Sequence, residues 1–350
     1  MIKFSVEDKE WLTQKLLAWY FEHHRKLPWR QNKDPYRVLV SEIMCQQTQV
    51  QTVIPYFNRF MEAFPDLTSL AHAPMERLLK LWEGLGYYRR ARLLKQCAEY
   101  VVRENGGKLG ETKQELIKLP GIGAYTSAAI ASIAFGEPVG VVDGNVYRVY
   151  SRFFNLDWDI SLTASRKCYQ ALADEAVSDQ HPGDYNQAVM ELGARVCTPN
   201  KPACSCCPVA DHCRVYVQNL DPATRPIKTK KVKVRKETIK CLWSEKGDSL
   251  LIVQRPDSGM LQGLWELPSS AMGQSDLLKM APRAQVKVSH KYSHIDALYE
   301  VYLPEDSETI IDDSALNWNS AWIRKNERHP YALTGAMKKI LKTMDWYQEE

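Results

Sequence analysis

Cys197-Thr198-Pro199-Asn200-Lys201-Pro202-Ala203-Cys204-Ser205-Cys206-Cys207-Pro208-Val209-Ala210-Asp211-His212-Cys213 holds five of the nine cysteines of the chain. Cys197, Cys204, Cys207 and Cys213 are separated by six, two and five residues, and Cys206 is an extra thiol whose neighbour Cys207 fits the spacing better. Thiols clustered in this way, with Cys45, Cys97, Cys168 and Cys241 scattered elsewhere, point to metal ligation in a reducing compartment rather than to disulfides. Four thiolates suit a structural zinc or an iron–sulfur cluster, and softness does not choose between them. Zinc ribbons usually present two close pairs, whereas here only Cys204 and Cys207 are close. Pro199, Pro202 and Pro208 make the loop too irregular to order itself by packing, so a bound metal group would supply its order.

Outside this loop, 350 residues are too many for one ordinary core and imply two domains. A chain 45% apolar and 25% charged with 18 prolines is globular rather than disordered or fibrous. Met1 to Glu10 mixes charges and lacks the apolar core of a signal peptide, and no apolar run reaches the ~18 residues of a membrane span. A soluble, cytoplasmic protein is expected, nucleoid-associated if bacterial. The net charge of +4 permits nucleic-acid binding without demonstrating it.

The first two-thirds of the chain reads as helical. Ser5 with Asp8 offers a cap for a helix carrying Leu12, Leu16, Trp19, Tyr20 and His23, and Asp34-Pro35 opens another through Glu42 toward Gln49. Further helices are expected at Met75–Trp82, Tyr88–Asn105, Gln114–Leu119, Tyr125–Phe135, Val146–Phe153, Ala164–Val177 and Asn186–Cys197. Arg225 to Lys236 then holds seven Lys or Arg in twelve residues and reads as a linker. Beyond it, Lys231–Leu242 and Ser249–Gln254, on either side of the Lys246-Gly247-Asp248 turn, look like a hairpin opening a smaller α+β domain. The expected division is a helical domain at 1–220, a basic linker at 221–236 and a second domain at 237–350.

Leu119-Pro120-Gly121-Ile122-Gly123 separates two of these helices, and its glycines allow a tight turn whose N–H groups can approach a phosphate. Alone, such a turn is ordinarily a plain helix connection. It is followed by Val141-Val142-Asp143-Gly144-Asn145-Val146-Tyr147-Arg148, and a second carboxylate, Glu42, lies in Ser41-Glu42-Ile43-Met44-Cys45-Gln46-Gln47-Thr48-Gln49. Among Val38, Leu39, Ile43 and Met44, partial burial would raise the pKa of Glu42 and suit it to general acid catalysis.

The cysteine spacing, the hairpin and the downstream aspartate resemble the helix-hairpin-helix, iron–sulfur DNA glycosylase superfamily. Within it, the Glu42 string resembles the adenine glycosylase (MutY) family. So do Leu27-Pro28-Trp29-Arg30, Gly84-Leu85-Gly86-Tyr87-Tyr88 and Asn186-Gln187-Ala188-Val189-Met190-Glu191-Leu192-Gly193-Ala194. The resemblance implies a mainly α glycosylase fold with one 4Fe–4S cluster on Cys197, Cys204, Cys207 and Cys213, and a phosphate-binding hairpin at Gly121 and Gly123. It implies a base-flipping hydrolase in which Glu42 protonates adenine and Asp143 stabilises the oxocarbenium-like sugar, supported by Tyr125 and Asn145. Trp29, Arg30, Gln187 and Glu191 match the adenine pocket, and Gln47, Leu85 and Tyr87 match intercalating positions.

The endonuclease III branch carries a Schiff-base lysine where this sequence has Tyr125, so a monofunctional enzyme is expected. Gly263-Leu264-Trp265-Glu266-Leu267-Pro268 resembles the start of a Nudix-type domain, but the metal box is absent from Ser269 to Met280, which implies a reader rather than a hydrolase. Family members recognise 8-oxoguanine through a Phe-Ser-His loop, and Tyr292-Ser293-His294 stands in that place. The implied partner is double-stranded DNA containing 8-oxoguanine:adenine or guanine:adenine, bound by a monomer. An endonuclease III-like glycosylase/lyase and a non-catalytic iron–sulfur DNA-binding protein are the competing readings.

Overall fold

In the computed structural model the described residues are 5–230, 233–270, 284–303 and 318–346. They form two compact units, one from Met1–His72 and Leu93–Lys231, the other from Ala73–Arg92 and Val232–Glu350. Among the described residues, no helix is long and apolar enough to cross a membrane.

The first unit is helical: α1 (Val6–His23), α2 (Pro35–Cys45), α3 (Val50–Ala63) and α4 (Leu67–Ala71) precede the excursion into the other unit. There, α5 (Met75–Trp82) leads to α6 (Arg89–Asn105), which returns the chain to the first unit. The helices that follow are α7 (Lys113–Leu116), α8 (Ala124–Ala134), α9 (Gly144–Phe153), α10 (Thr163–Ala176), α11 (Pro182–Arg195) and α12 (Arg214–Val217). The expected caps form: Ser5 Oγ accepts from Asp8 N–H and Asp34 from Tyr36 and Arg37 N–H. Helix α2 stops at Cys45, short of Gln49, and α3 and α4 were not expected from the sequence.

One core joins α1, α9, α10 and α11 through Leu12, Leu16, Tyr150, Tyr169, Tyr185 and Leu192. The cysteine loop leans on this core through Cys197, Cys207, Val209 and Cys213, and His212 stacks on Trp11 with ring centroids 3.8 Å apart. Glycine permits a close approach to α10: a Cβ on Gly140 would lie 2.3 Å from the Ala173 backbone carbon. Asp174 accepts from Gly140 N–H at 2.9 Å, and Asn186 of α11 accepts from Val141 N–H at 3.1 Å. The segment ahead of α9 is thereby clamped between α10 and α11.

The second unit holds β1 (Arg235–Leu242), β2 (Glu245–Lys246), β3 (Ser249–Gln254), β4 (Trp265–Glu266), β5 (Ala284–Lys291), β6 (Ile295–Tyr302), β7 (Ser320–Arg324) and α13 (Gly335–Thr343). The expected hairpin between the β1 and β3 regions does not form. Gly247, at φ +59°, turns β3 back onto the short β2, whereas β1 pairs in parallel with β6 in a separate sheet ordered β1-β6-β5. Strand β3 also pairs with β4 and β7, and α13 packs over β5. Within this unit Glu83, at the end of α5, accepts from Leu333 N–H at 3.0 Å, and Lys80 donates to Tyr331 O at 3.0 Å. The 269–280 segment, read as lacking a Nudix metal box, falls largely outside the described residues.

Gly140→Ala forces the segment ahead of α9 away from α10. A loss of about 1–3 kcal/mol in urea unfolding is expected, and a wild-type unfolding midpoint would refute the clamp.

Candidate active site

Helix α2 buries Val38, Leu39, Val40, Ile43 and Met44, and its remaining face carries Glu42 with some exposure to solvent. Helix α8 follows the Gly121–Gly123 turn and is buried along almost its whole length from Thr126 onward. Gly121 adopts φ +75° and leaves a Cβ no room against Leu93, while Gly123 is the N-cap with open space around it. In the first turn of α8, the Tyr125 hydroxyl donates to Glu42 Oε2 at 2.6 Å and approaches Met190 Sδ at 3.6 Å. Burial pushes the Glu42 carboxyl up to about 6; the Tyr125 hydrogen bond pulls it back, Asp143 raises it further and Arg30 opposes that. The Tyr125 phenol is raised well above its ordinary value, chiefly by burial and then by the Glu42 charge, so it remains a donor.

Asp143 is the N-cap of α9. Its Oδ1 accepts from Val146 N–H at 2.7 Å and its Oδ2 from Asn145 Nδ2 at 2.8 Å. Burial raises its pKa, while those two bonds and the charge of Arg148 favour the carboxylate. The helix N-terminus favours that charge as well. Asn145 is fixed in turn, because Arg148 Nη2 donates to Asn145 Oδ1 and to Gly193 O, both at 2.7 Å. A Cβ on Gly193 would lie 2.6 Å from that of Asn145, so α11 reaches this position only because residue 193 has no side chain.

Arg148 also donates through Nε to Cys197 O at 2.7 Å. One turn later the buried Arg152 reaches Cys197 Sγ at 3.4 Å, Thr198 O at 2.7 Å, Pro199 O at 2.9 Å and Pro222 O at 2.9 Å. Two arginines four residues apart thus join Asp143 to the cysteine loop. Among the described residues, no cluster of three or more His, Cys, Asp or Glu is arranged to hold a metal ion. Cys197, Cys204, Cys207 and Cys213 nevertheless lie within electrostatic reach of one another and are half-buried, whereas Cys206 is exposed. Burial pushes the Cys207 thiol up to about 12, so a thiolate there requires a nearby positive charge.

The expected adenine-pocket residues lie in different surroundings. Trp29 is core, edge-on to Phe57 with centroids 5.2 Å apart. The side chain of Glu191 is wholly buried and saturated: Arg25 Nε and Nη2 bind its two oxygens at 2.7 and 2.9 Å, and Arg30 Nη2 binds Oε2 at 3.0 Å. Burial opposes its charge, but Arg25 and Arg30 outweigh that and hold the carboxyl below its ordinary range. Gln187 is half-buried on the same helix. Arg25 was missed by the sequence reading; its only signal was a second arginine just ahead of Leu27-Pro28-Trp29-Arg30.

Of the expected intercalating residues, Gln47 and Tyr87 are exposed and hold φ of +56° and +49°, a conformation side chains rarely adopt and one concentrated at functional sites. Leu85 differs. Gly84 and Gly86, both at positive φ, turn the backbone so that Leu85 packs inward and is buried. In the second unit, Ser293 and His294 are exposed, Tyr292 is half-buried, and Ser293 Oγ lies 2.8 Å from the Tyr87 hydroxyl.

Residues 40–173 match the model of the HhH-GPD superfamily of base excision DNA repair proteins, and residues 240–343 match that of the NUDIX domain. The chain is 36% identical to the adenine DNA glycosylase of Homo sapiens, an alignment covering 95% of this chain and 74% of that protein. It is 33% identical to the adenine DNA glycosylase of Buchnera aphidicola subsp. Baizongia pistaciae, covering 81% and 82%. Among solved structures, a thermostable thymine-DNA glycosylase superposes with a TM-score of 0.56 at 28% identity, over 61% of this chain and 98% of that one. A non-covalent endonuclease III–DNA complex superposes at 0.52 and 22% identity, over 62% and 98%, and shares the fold.

The raised pKa of Glu42 makes its ionisation unfavourable to folding. Folded protein keeps a proton that the unfolded chain has released between pH 4.5 and about 6, so stability falls as pH rises through that window. Glu42→Gln cannot ionise and still accepts from Tyr125. It is expected to exceed the parent by about 1 kcal/mol at pH 8, after allowance for its partial exposure, and to lose that advantage toward pH 4.5, in urea unfolding at the two pH values.

Proposed function

The chain belongs to the adenine DNA glycosylase family of base-excision repair enzymes, and we propose that Glu42 and Asp143 divide the chemistry of adenine removal between them. The observation that carries this reading is the Tyr125–Glu42 contact of 2.6 Å in a site where burial lifts Glu42 to about 6. At pH 7 about a tenth of such carboxyls hold a proton, a usable fraction for a general acid. Glu42 protonates the flipped adenine and makes it a better leaving group. Asp143, aligned by Val146 N–H and Asn145, faces the sugar as a carboxylate and stabilises its developing positive charge. Glu42, deprotonated by that transfer, then takes a proton from the attacking water.

Tyr125 supports a glycosylase without strand cleavage. Its hydroxyl is spent on Glu42, and it has no amine to form a Schiff base. Gln187 and Arg30 are assigned to the adenine, with Glu191 and Arg25 holding Arg30 in place and Trp29 backing the pocket from the core. Gly121 and Gly123 present backbone N–H groups to a phosphate, and Gln47 and Tyr87 enter the stack while the adenine is extruded. Leu85 would have to leave its buried position to join them.

The four thiols at 197, 204, 207 and 213 are assigned to one 4Fe–4S cluster. Their softness, shared loop and mutual electrostatic reach, with Arg152 donating to Cys197 Sγ, suit a group larger than one ion. The cluster supplies order to the loop, and α9 passes that order to Asp143. We assign residues 1–220 to catalysis, 221–236 to a basic linker and 237–350 to a Nudix-like domain that recognises 8-oxoguanine or guanine opposite adenine through the 292–294 loop. The enzyme acts on such pairs inside the cell as a monomer.

Single-turnover release of adenine from an 8-oxoguanine:adenine duplex tests the assignment. Glu42→Gln is expected to slow it by about 10²–10⁴-fold. The parent rate is expected to fall as pH rises above 6, because the protonated form is the active one. A Glu42→Gln variant as fast as the parent would refute the acid, and strand scission without alkali would refute the absence of lyase chemistry.

Metal analysis and visible absorbance test the cluster. Iron with inorganic sulfide is expected, together with loss of both in Cys204→Ser; zinc in their place would overturn the cofactor.

A further inference from the structure

Strands β5 and β6 form a hairpin in which Lys291 pairs with Asp296 and Tyr292 N–H donates to Ile295 O at 2.8 Å. Ser293 and His294 alone make its tip. Strand alternation places Val288, His290 and Tyr292 on the same face of the hairpin as Ile295, Ala297 and Tyr299, the face that packs into the second unit's core. Tyr292 therefore points back beneath the tip. Its ring meets that of His290 at 4.5 Å, and its hydroxyl lies 2.8 Å from the hydroxyl of Tyr299. Tyr299 is itself 2% exposed, in the middle of β6.

We propose that Tyr299 is a positioning residue for reading the base opposite adenine, holding the Tyr292 hydroxyl and thereby fixing the Ser293-His294 tip. The inference rests on the reading role assigned to residues 292–294. Tyr292 is then an anchor and not a wedge. Driving its ring into a duplex would break the bond and strip a buried hydroxyl of that partner, which is unfavourable. A phenylalanine at 292 could fill the same space but could not tie the tip to β6. Burial, with the Glu266 charge adding to it, raises both phenols, so the bond persists across the working pH range.

The experiment compares single-turnover adenine release opposite 8-oxoguanine and opposite guanine in Tyr299→Phe, Tyr292→Phe, the double variant and Ser293→Ala, with thermal melting of each. Tyr299→Phe is expected to lower the ratio of the two rates about fivefold by slowing the 8-oxoguanine substrate, the size of one lost hydrogen bond. Its rate opposite guanine should match the parent, and its melting temperature should fall only by the amount one lost buried hydrogen bond accounts for. Tyr292→Phe should lower the ratio equally, and the double variant no further, because both remove one bond. A parental ratio in Tyr299→Phe, or additive losses in the double variant, overturns the anchor. Should Tyr299→Phe melt early, Tyr292→Phe, at a half-buried position, carries the same comparison. Loss of the ratio in Ser293→Ala alone leaves the loop as reader and refutes the anchor. Retention of the ratio in Ser293→Ala as well removes the loop's reading role itself.

Discussion

Two largely buried carboxylates, Glu42 and Asp143, lie within electrostatic reach of each other, and compensation of their charge shapes what surrounds them. Like charges in a dry site raise each other's pKa unless donors intervene. Glu42 receives the Tyr125 hydroxyl and sits on the face of α2 not given to the core. Asp143 receives a helix N-terminus, a backbone N–H and an amide. Unequal donor sets place two chemically similar groups in different electrostatic environments.

Helix α9 carries the second donor set outward. Its first residues hold Asp143, and Arg148 and Arg152 tie successive turns to the backbone and thiol of Cys197. Among the described residues, the Arg152 side chain donates to groups of the cysteine loop and the start of the linker. The cysteine loop is thus linked to the aspartate through the Arg148–Asn145 hydrogen bonds as well as through the helix that carries them. Gly193 permits this by letting α11 lie against Asn145.

Local chemistry was legible in the sequence wherever it was self-contained. Ser5 and Asp34-Pro35 marked helix starts, Met75–Trp82 appeared with its bounds intact, and the cysteine spacing stood out. Pairings between distant segments were not legible. An alternating strand does not reveal its partner, so β1 was matched to its neighbour β3 instead of to β6. The role of Arg25 depends on Glu191, 166 residues away. Leu85 lay in a recognisable string, but the backbone turn imposed by Gly84 and Gly86 decided which way it faced. Tyr292 was visible as a departure from phenylalanine, yet its hydroxyl acquired meaning only once Tyr299 was found beneath it.

The parallel pairing of β1 with β6 also bears on how the chain is made. Emerging from the ribosome, β1 meets its partner only after about sixty further residues have been synthesised. Until then its hydrogen-bonding edge is bare, a state that invites pairing with other chains. The Lys and Arg residues of the preceding tract, with Arg235 and Lys236 at the strand's start, put like charge where that waiting strand begins. A tract that reads as a linker thus also places like charge beside a strand that must wait for its partner, which disfavours pairing between copies.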